Sequence, residues 1–579
     1  MLNWDLSALY IDDEALEVDV KRVEQKAKTF ESLYKNRLKI LSTTDFLEAL
    51  SEYEALSQTF GKFMTYAFLK FATDSSNGGF YAKYQNAYAN ISEHTLFFEL
   101  EFNKLTKAKQ QEFIEVASIY KYFLTSLLEQ KPYQLSSKEE RILLKKDNTS
   151  ASAWSRLFDE HFSRLKFDFD GEQLCEEEVL SKMHNSNREV RKKAANSLSK
   201  TLKKHQDLIA YIYNMIKADH KVDCELRGYK SPETFRHMHN KISQKSVDAL
   251  VKSTEESFSL VHEYYAKKAE LLGLEKLYDY DRYAPLSSKE REYDFESSKA
   301  IVLSAFEKFS PKMAYIAQKA FDEKWIDVFP KEGKRGGAFS HPATPDAHPY
   351  VLLNHTNQRR DLFTMAHELG HAIHQYLSRN VGYLGTNTPL TTSETASVFA
   401  EMLVFDSIKD DLNETEKIAL YASKIEDIFA TLYRQINFTT FERAVHASDG
   451  ELKKEDFNAL WMAESKKMFG SSVVLSKNYE IWWSYIPHFI HSPFYCYSYS
   501  YGQLLVLALY GLYKSGKTTD FVENYSAFLS AGGSKSPKEL IERFGFDIES
   551  VEFWKIGITE IKKLLNEFKG LQDASRTFK

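Results

Sequence analysis

The stretch Asp361–Asn380, DLFTMAHELGHAIHQYLSRN, restricts the possible folds of this chain more than any other. It holds no proline, Asp361 can cap its start and Gly382 lies just past its end, so a helix of about five turns is expected. On that helix His367 and His371 are four residues apart and share one face. Leu369 points roughly opposite, with Leu362, Met365, Ile373 and Tyr376 on its side. The helix therefore has to bury one stripe and present two imidazoles on the other. Two imidazoles one turn apart can each give a ring nitrogen to one zinc ion. Glu368 lies too far round the helix to share their geometry as a ligand, but it can reach a water on the metal and take its proton.

Two histidines do not complete such a site. A catalytic zinc has three protein ligands and one open position, so a second element must fold back on the first. Pro389–Ser393 reads as a turn and helix cap, and Glu394–Glu401 as the start of the next helix. Glu394 and Glu401 are seven apart and share a face. The connection from His371 is long enough for an antiparallel return. Glu394 is the first choice for third ligand. Glu401 is the alternative, or else the acceptor for a ligand's other ring N–H, and Asp406 is a weaker competitor. His374 sits on the ligand face but too far along to join the same ion, which leaves it behind the ligands or facing substrate.

The rest of the chain limits the setting. At 579 residues it is too long for one simple core, so two or more lobes are expected. A hydrophobic content of 43% with 22 glycines and 12 prolines marks an ordered globular protein. The net charge of −6 and the lack of a long basic block argue against nucleic acid or an anionic membrane as partner. No obligate protein partner is evident. Cys175, Cys224 and Cys496 have neither disulfide-framework nor metal spacing, which fits a reducing compartment. The acidic N-terminus lacks a signal-peptide pattern, and the most apolar run, Leu504–Tyr513, is too short to span a bilayer. A cytoplasmic, soluble protein is expected.

Helical periodicity dominates elsewhere. Asp13–Leu38, Thr44–Thr73, Phe80–Leu105 and Lys107–Gln130 each read as helices, as do long runs in Asn187–Val222 and Ser243–Leu272. Leu165–Asp170 alternates and meets Gly171, as a small hairpin would. Glu275–Leu286, EKLYDYDRYAPL, reads either as a packed irregular connection or as a site lining. In Gly333–Tyr350, Gly336 and Gly337 would let a substrate approach the backbone. Val351–Leu353 follows as a short strand whose unpaired edge could take an extended peptide by strand addition; an ordinary surface loop is the competing reading. Ile486–Gly502 offers His488, His491, Tyr495, Tyr497, Tyr499 and Tyr501 as donors to an oxyanion, or as simple packing. After Pro493 a helix would pair Tyr495 with Tyr499, while the alternation of tyrosines equally fits a strand.

Five stretches carry a family resemblance: HELGHAIH (His367–His374), PLTTSETASVFAE (Pro389–Glu401), RGYKSPETF (Arg227–Phe235), LYDYDRYAPL (Leu277–Leu286) and IPHFIHSPFYCYSY (Ile486–Tyr499). In this order they resemble the oligoendopeptidase F group of the M3 zinc metallopeptidases, relatives of thimet oligopeptidase, from about residue 110 onward. The resemblance implies a mainly α, elongated two-lobed helical zincin with a deep central channel and a small β-sheet near the active site. It implies an N-terminal helical lobe over 1–190 and a catalytic domain over 191–579. It implies one Zn2+ per chain on His367, His371 and Glu394, with Glu368 as general base. A late histidine and tyrosines become transition-state donors: His488 with Tyr495 and Tyr499. Gly337, Tyr497 and His491 are assigned to substrate binding. His491 remains an alternative to His488, because one more residue precedes the Phe-Tyr pair here than in the family. The activity implied is hydrolysis of internal bonds of short oligopeptides by a metal-activated water. A zinc carboxypeptidase or dipeptidyl carboxypeptidase would need a fixed cation for the terminal carboxylate, for which Arg335 or Arg282 could serve. The intact Glu368 speaks against a non-catalytic peptide-binding protein.

Overall fold

Apolar residues at helical spacing produce a mainly α-helical chain in the computed structural model, which describes residues 3–286 and 291–576. The first helix, Asp13–Tyr34, starts where the Asp12 carboxylate accepts from the Ala15 amide. The next, Thr43–Thr73, is opened by a capping box between Ser42 and Asp45. The expected helix over Phe80–Leu105 is instead two, Gly78–Ser92 and Phe97–Lys104. That over Lys107–Gln130 is split into Lys107–Val116 and Lys121–Gln130. Local bonds compete with the helix at both breaks: the Thr95 hydroxyl donates to the Ser92 carbonyl, and Ser118 takes a left-handed φ of 45°. The short pieces bring Phe98 onto Tyr53, with ring centres 4.8 Å apart, and Phe113 onto Phe46 at 3.8 Å.

The chain divides into two compact units. The first comprises Met1–Pro132, Arg291–Asp410 and Gly516–Gly545; the second comprises Tyr133–Glu290, Asp411–Ser515 and Phe546–Lys579.

In the first unit, β3 (Ile326–Asp327), β4 (Phe339–His341) and β5 (Tyr350–Leu352) form a sheet in the order β3-β5-β4. β5 is parallel to β3 and antiparallel to β4, with Val351 opposite both Ile326 and Ser340. The edge of Val351–Leu353 expected to receive a peptide is thus occupied on both sides, and β3 and β4 are the outer strands. Helix α1 (Arg359–Ser378) carries the two histidines. Its cap is Gln358, not Asp361 as expected. Asp361 is the third helical residue, and its carboxylate reaches back to the amides of Thr356 (2.7 Å) and Gln358 (3.1 Å). The stripe Leu362, Met365, Leu369 and Ile373 is fully buried, as its spacing requires. A single helical turn, Leu390–Ser393, leads to Glu394 and α2 (Thr395–Ile408).

The second unit contains the expected hairpin, β1 (Phe167–Phe169) against β2 (Glu172–Leu174), turned at Gly171. Its longest helix, Arg188–Arg227, ends at a left-handed Gly228. Helix α3 (Arg434–Ala447) continues directly from a π-helical turn, Phe429–Tyr433. Tyr497, Tyr499 and Tyr501 belong to a helix, α4 (Tyr497–Ser515), with Tyr495 just ahead of it, so the strand reading of their alternation is overturned. The alternation is two sets at helical spacing: Tyr497 and Tyr501 are buried, and Tyr495 and Tyr499 are half-buried. Among the described residues, no helix is long and apolar enough to cross a membrane.

Candidate metal centre

Helix α1 presents His367 and His371 from successive turns, and Glu394 meets them from the junction before α2. Oε2 of Glu394 lies 3.3 Å from Nε2 of His367 and 3.4 Å from Nε2 of His371. Ligands held 2.0–2.1 Å from one tetrahedral ion sit about 3.4 Å from each other, so these separations suit a shared ion. Among the described residues, this is the group of histidine, cysteine and acidic side chains close enough to hold one, with all three donor atoms within 4.8 Å of each other. Glu401, the alternative ligand, takes the other role weighed for it. Its Oε1 lies 2.7 Å from Nδ1 of His367, which leaves Nε2 for the ion. Asp406 lies outside the group.

The charges agree with the geometry. Burial pulls the His367 imidazolium down, but the Glu401 bond and the charges of Glu401, Glu394 and Glu368 outweigh it and hold the group up at about 9. Burial raises Glu394, yet the hydrogen bond and charge of His371 and the charge of His367 bring it down to about 2. Glu368 is buried, which raises its carboxyl against the pull of both histidines. His374 is buried too, and burial with the neighbouring His371 brings it down to about 4; it packs behind the ligands rather than facing solvent.

Three residues that sequence reading passed over brace this arrangement. The Ser397 hydroxyl donates to Oε2 of Glu394 at 2.7 Å. Ser397 is three residues after the ligand, so helical spacing could have found it. Gly370 lies where α1 crosses α2: a Cβ there would come 2.6 Å from the Ala396 carbonyl oxygen and 2.7 Å from the Ser397 Cα. A glycine in a helix interior costs about 1 kcal/mol against alanine, and that cost was the signal. Tyr525, on helix α5 (Phe521–Ser530), donates to the Thr395 carbonyl at 2.8 Å. It is 130 residues distant, and nothing local announces it. The sheet is tied in as well, since the Ser340 hydroxyl of β4 donates to Oε1 of Gln375 on α1 at 2.7 Å.

The late motif lies in the second unit. His488 and His491 are the ends of one short helix but have different partners. His491 pairs at the surface with Asp159, at 2.8 Å. Nε2 of His488 is 3.4 Å from the Tyr499 hydroxyl, and its ring packs beside Tyr495 and Tyr499. Tyr497 is fully buried and its hydroxyl is shared by Nδ1 of His237 (2.8 Å) and Nδ2 of Asn240 (3.0 Å), so it cannot touch a substrate as expected.

The sequence profile of peptidase family M3 matches residues 181–560. The chain belongs to that family. A second profile, described as Oligopeptidase F, matches residues 101–167 of this M3 peptidase. Oligopeptidase PepF of Bacillus subtilis is 28% identical to it over 98% of this chain and 87% of the relative. The chromosomal oligoendopeptidase F of Lactococcus lactis subsp. cremoris is 29% identical over 98% and 97% respectively. Two crystal structures share the fold. A protein from Chlamydophila abortus superposes with a TM-score of 0.91 at 24% identity, covering 98% of both chains. Oligoendopeptidase-F from Enterococcus faecium gives 0.69 at 22% identity, over 96% of this chain and 98% of the other. In this M3 peptidase, one unit holds His367, Glu368, His371 and Glu394 together, and Gly337 beside the outer strand β4; the other unit holds the His488–Tyr499 pair.

Proposed function

We propose that this M3 peptidase is a zinc-dependent endopeptidase that hydrolyses internal bonds of short oligopeptides in the cytoplasm. The observation that carries the reading is the three-donor group of His367, His371 and Glu394 at tetrahedral spacing, with a buried Glu368 one residue from the first ligand. A zinc ion bound there supplies Lewis acidity, polarising a carbonyl and lowering the pKa of a water to about 7. The chain's own residues do the rest. The Glu368 carboxylate takes the proton of the attacking water and passes it to the leaving amine. Glu401 holds the His367 ring in the tautomer that offers Nε2. Nε2 of His488 and the Tyr499 hydroxyl are assigned as donors to the oxyanion, with Tyr495 packing against both. The exposed backbone at Gly337, next to the outer strand β4, is assigned to an extended substrate. On this reading the chemistry belongs to residues 191–579, and residues 1–190 restrict which substrates reach it.

Metal analysis and turnover on one preparation test the proposal. Zinc should bind at one ion per chain, and a quenched oligopeptide should be cleaved at an internal bond. Glu394→Ala should lose most of the metal. Glu368→Gln should keep the metal and lose turnover by about 10²–10⁴-fold, the range of a positioned general base. Normal turnover by Glu368→Gln would remove Glu368 from the mechanism. A sequence cleaved as a free peptide should resist cleavage when held in a structured loop of a stable protein.

A further inference from the structure

The C-terminal part of the long helix Arg188–Arg227 carries a face that belongs neither to the core nor to open solvent. Asp219, Val222, Asp223 and Leu226 follow one another at three- and four-residue spacing, so two carboxylates and two apolar side chains share one stripe. A core face does not hold two aspartates, and a solvated face is not expected to hold Val222 and Leu226, each 52% exposed. The stripe forms one wall of a groove of about 950 Å³ in the second unit. The helices Ser137–Asp147 and Ala151–Arg164, and the short helix His488–His491 with the segment after it, supply the other walls. Leu143, Ile216, Ile490 and Pro493 add apolar lining, and the volume is that of a ligand site.

Five carboxylates line this groove against three cationic side chains, and three of the five are committed. Glu140 and Asp223 both pair with Arg227, each at 2.8 Å, and Asp159 takes Nε2 of His491 at 2.8 Å. Asp147 and Asp219 have no ion pair among the described residues, and the Asp147 carboxylate accepts from the Ser152 hydroxyl. The remaining cations leave them so. Arg156 is drawn to Glu160, outside the groove, at 2.7 Å, and Lys146 is exposed with no ion pair among the described residues. His220 is tied to the Pro232 carbonyl at 2.8 Å, and burial holds its imidazole below its ordinary value, so it is neutral at pH 7. Asp219 is half-buried; burial raises its carboxyl, and the like charges of Asp147 and Asp223 raise it further. The groove thus sets unmatched negative charge beside an apolar wall.

We propose that this groove binds a lysine or arginine side chain of a peptide substrate, with its apolar stem along Val222 and Leu226 and its charged head at Asp147 and Asp219. That the occupant is a substrate rests on the peptidase reading above. Lysine and arginine each join an apolar stem to a cation, which are the two things the groove asks for together. An acidic side chain would meet like charge there, and an inorganic cation would leave the apolar wall uncovered. A bound ammonium or guanidinium would also relieve the mutual repulsion of Asp147, Asp219 and Asp223. The second unit then selects peptides for a basic residue, while the metal ligands lie in the first.

The test uses one cleavable oligopeptide with lysine placed at each position in turn, each paired with the norleucine peptide, which keeps the stem and lacks the charge. Calorimetric binding to the zinc form of Glu368→Gln reads the groove without turnover. At one position or more, lysine should bind about 10-fold more tightly than norleucine, the worth of one hydrogen bond to a charged group. Adding Asp147→Asn and Asp219→Asn together should bring that ratio to near one and leave binding of the norleucine peptide unchanged. Asp219→Glu, which keeps the charge, should retain most of the preference. Equal binding of lysine and norleucine at every position overturns the groove and leaves the peptidase reading standing. A lysine preference that survives in the folded double variant overturns it as well. Cleavage of no peptide by the wild-type zinc protein removes the peptidase reading, and the occupant is then not a substrate.

Discussion

Nδ1 of His367 lies 2.7 Å from Oε1 of Glu401, so a carboxylate on α2 orients a ring on α1. The contact leaves Nε2 of the same ring 3.3 Å from Glu394. One acid thus acts on the ring's far side while another shares its near side. Glu401→Ala should weaken zinc binding about 10- to 100-fold, as loss of an outer partner of a ligand histidine typically does. Glu401→Gln, which keeps an acceptor oxygen, should recover part of that. Competition with a chelator measures both. Equal affinity in wild type and Glu401→Ala would reduce this contact to packing.

Gly370→Ala should separate helix propensity from packing. Alanine is the better helix former by about 1 kcal/mol, so propensity alone predicts stabilisation. The added Cβ would instead meet backbone of α2 at 2.6 and 2.7 Å, and backbone cannot step aside as a side chain can. A net loss of about 1–2 kcal/mol is expected, together with weaker zinc binding, since the crossing sets the position of Glu394. Denaturant unfolding of the metal-free protein gives the first quantity. A stabilised variant with unchanged metal affinity would contradict the crossing.

Tyr497 and Tyr499 should respond in opposite ways to loss of the hydroxyl. Tyr497→Phe removes the hydroxyl that meets Nδ1 of His237 and one of the acceptors of Asn240 Nδ2, so it should cost stability, about 1–3 kcal/mol, with kinetics near normal. Tyr499→Phe should lower kcat and kcat/KM together by about 10²–10³-fold with KM nearly unchanged, as for loss of an oxyanion donor. Steady-state kinetics and melting on the two variants decide. Unaltered turnover in Tyr499→Phe would return the late motif to packing.

The stability of the second unit should fall with rising pH through Glu442. This side chain is 1% exposed, and neither carboxylate oxygen has a partner meeting hydrogen-bond geometry among the described residues. Burial raises it to about 8, against some pull from the Phe494 backbone. The folded state binds this proton more tightly than the unfolded chain, where the value is about 4.3. The associated stability is therefore complete below about pH 4 and is lost as pH climbs toward 8. Glu442→Gln, which cannot ionise, should gain in melting temperature over wild type as pH is raised from 5 to 9. Parallel pH profiles for the two proteins would show that Glu442 does not titrate in this window.

The parts of the site that follow from local periodicity were legible. His367 and His371 share a face whatever else the chain does, and a carboxylate at a helix start soon afterward can reach them. Glu401 and Ser397 follow from the same repeat once Glu394 is chosen. What stayed hidden depends on elements meeting across long sequence gaps. Tyr525 and Gln375 act through partners that no spacing rule links to them. The free edge was assigned to Val351–Leu353 because order within a three-stranded sheet leaves no mark on a three-residue strand. The tyrosine alternation around Ser498 and Ser500 left helix and strand both open because two interleaved i, i+4 pairs look the same as one face of a strand. In Leu277–Leu286 Asp281 proved to be an internal ion-pair partner of Arg188 and Arg191, Asp279 an acceptor for the Ser476 amide, and Arg282 a buried donor to the Asp279 carbonyl.

Each compact unit draws on three separated stretches of chain, and this sets an order of events during synthesis. The ligands at 367, 371 and 394 leave the ribosome before the stretch Gly516–Gly545 that completes their unit. Tyr525 follows the carbonyl it braces by 130 residues, about 6–26 s at ordinary elongation rates. A nascent chain thus carries its full ligand set for seconds before its last brace has been translated. Final closure of the first unit is consequently a late step, and no single cut of the coding sequence would release either unit whole.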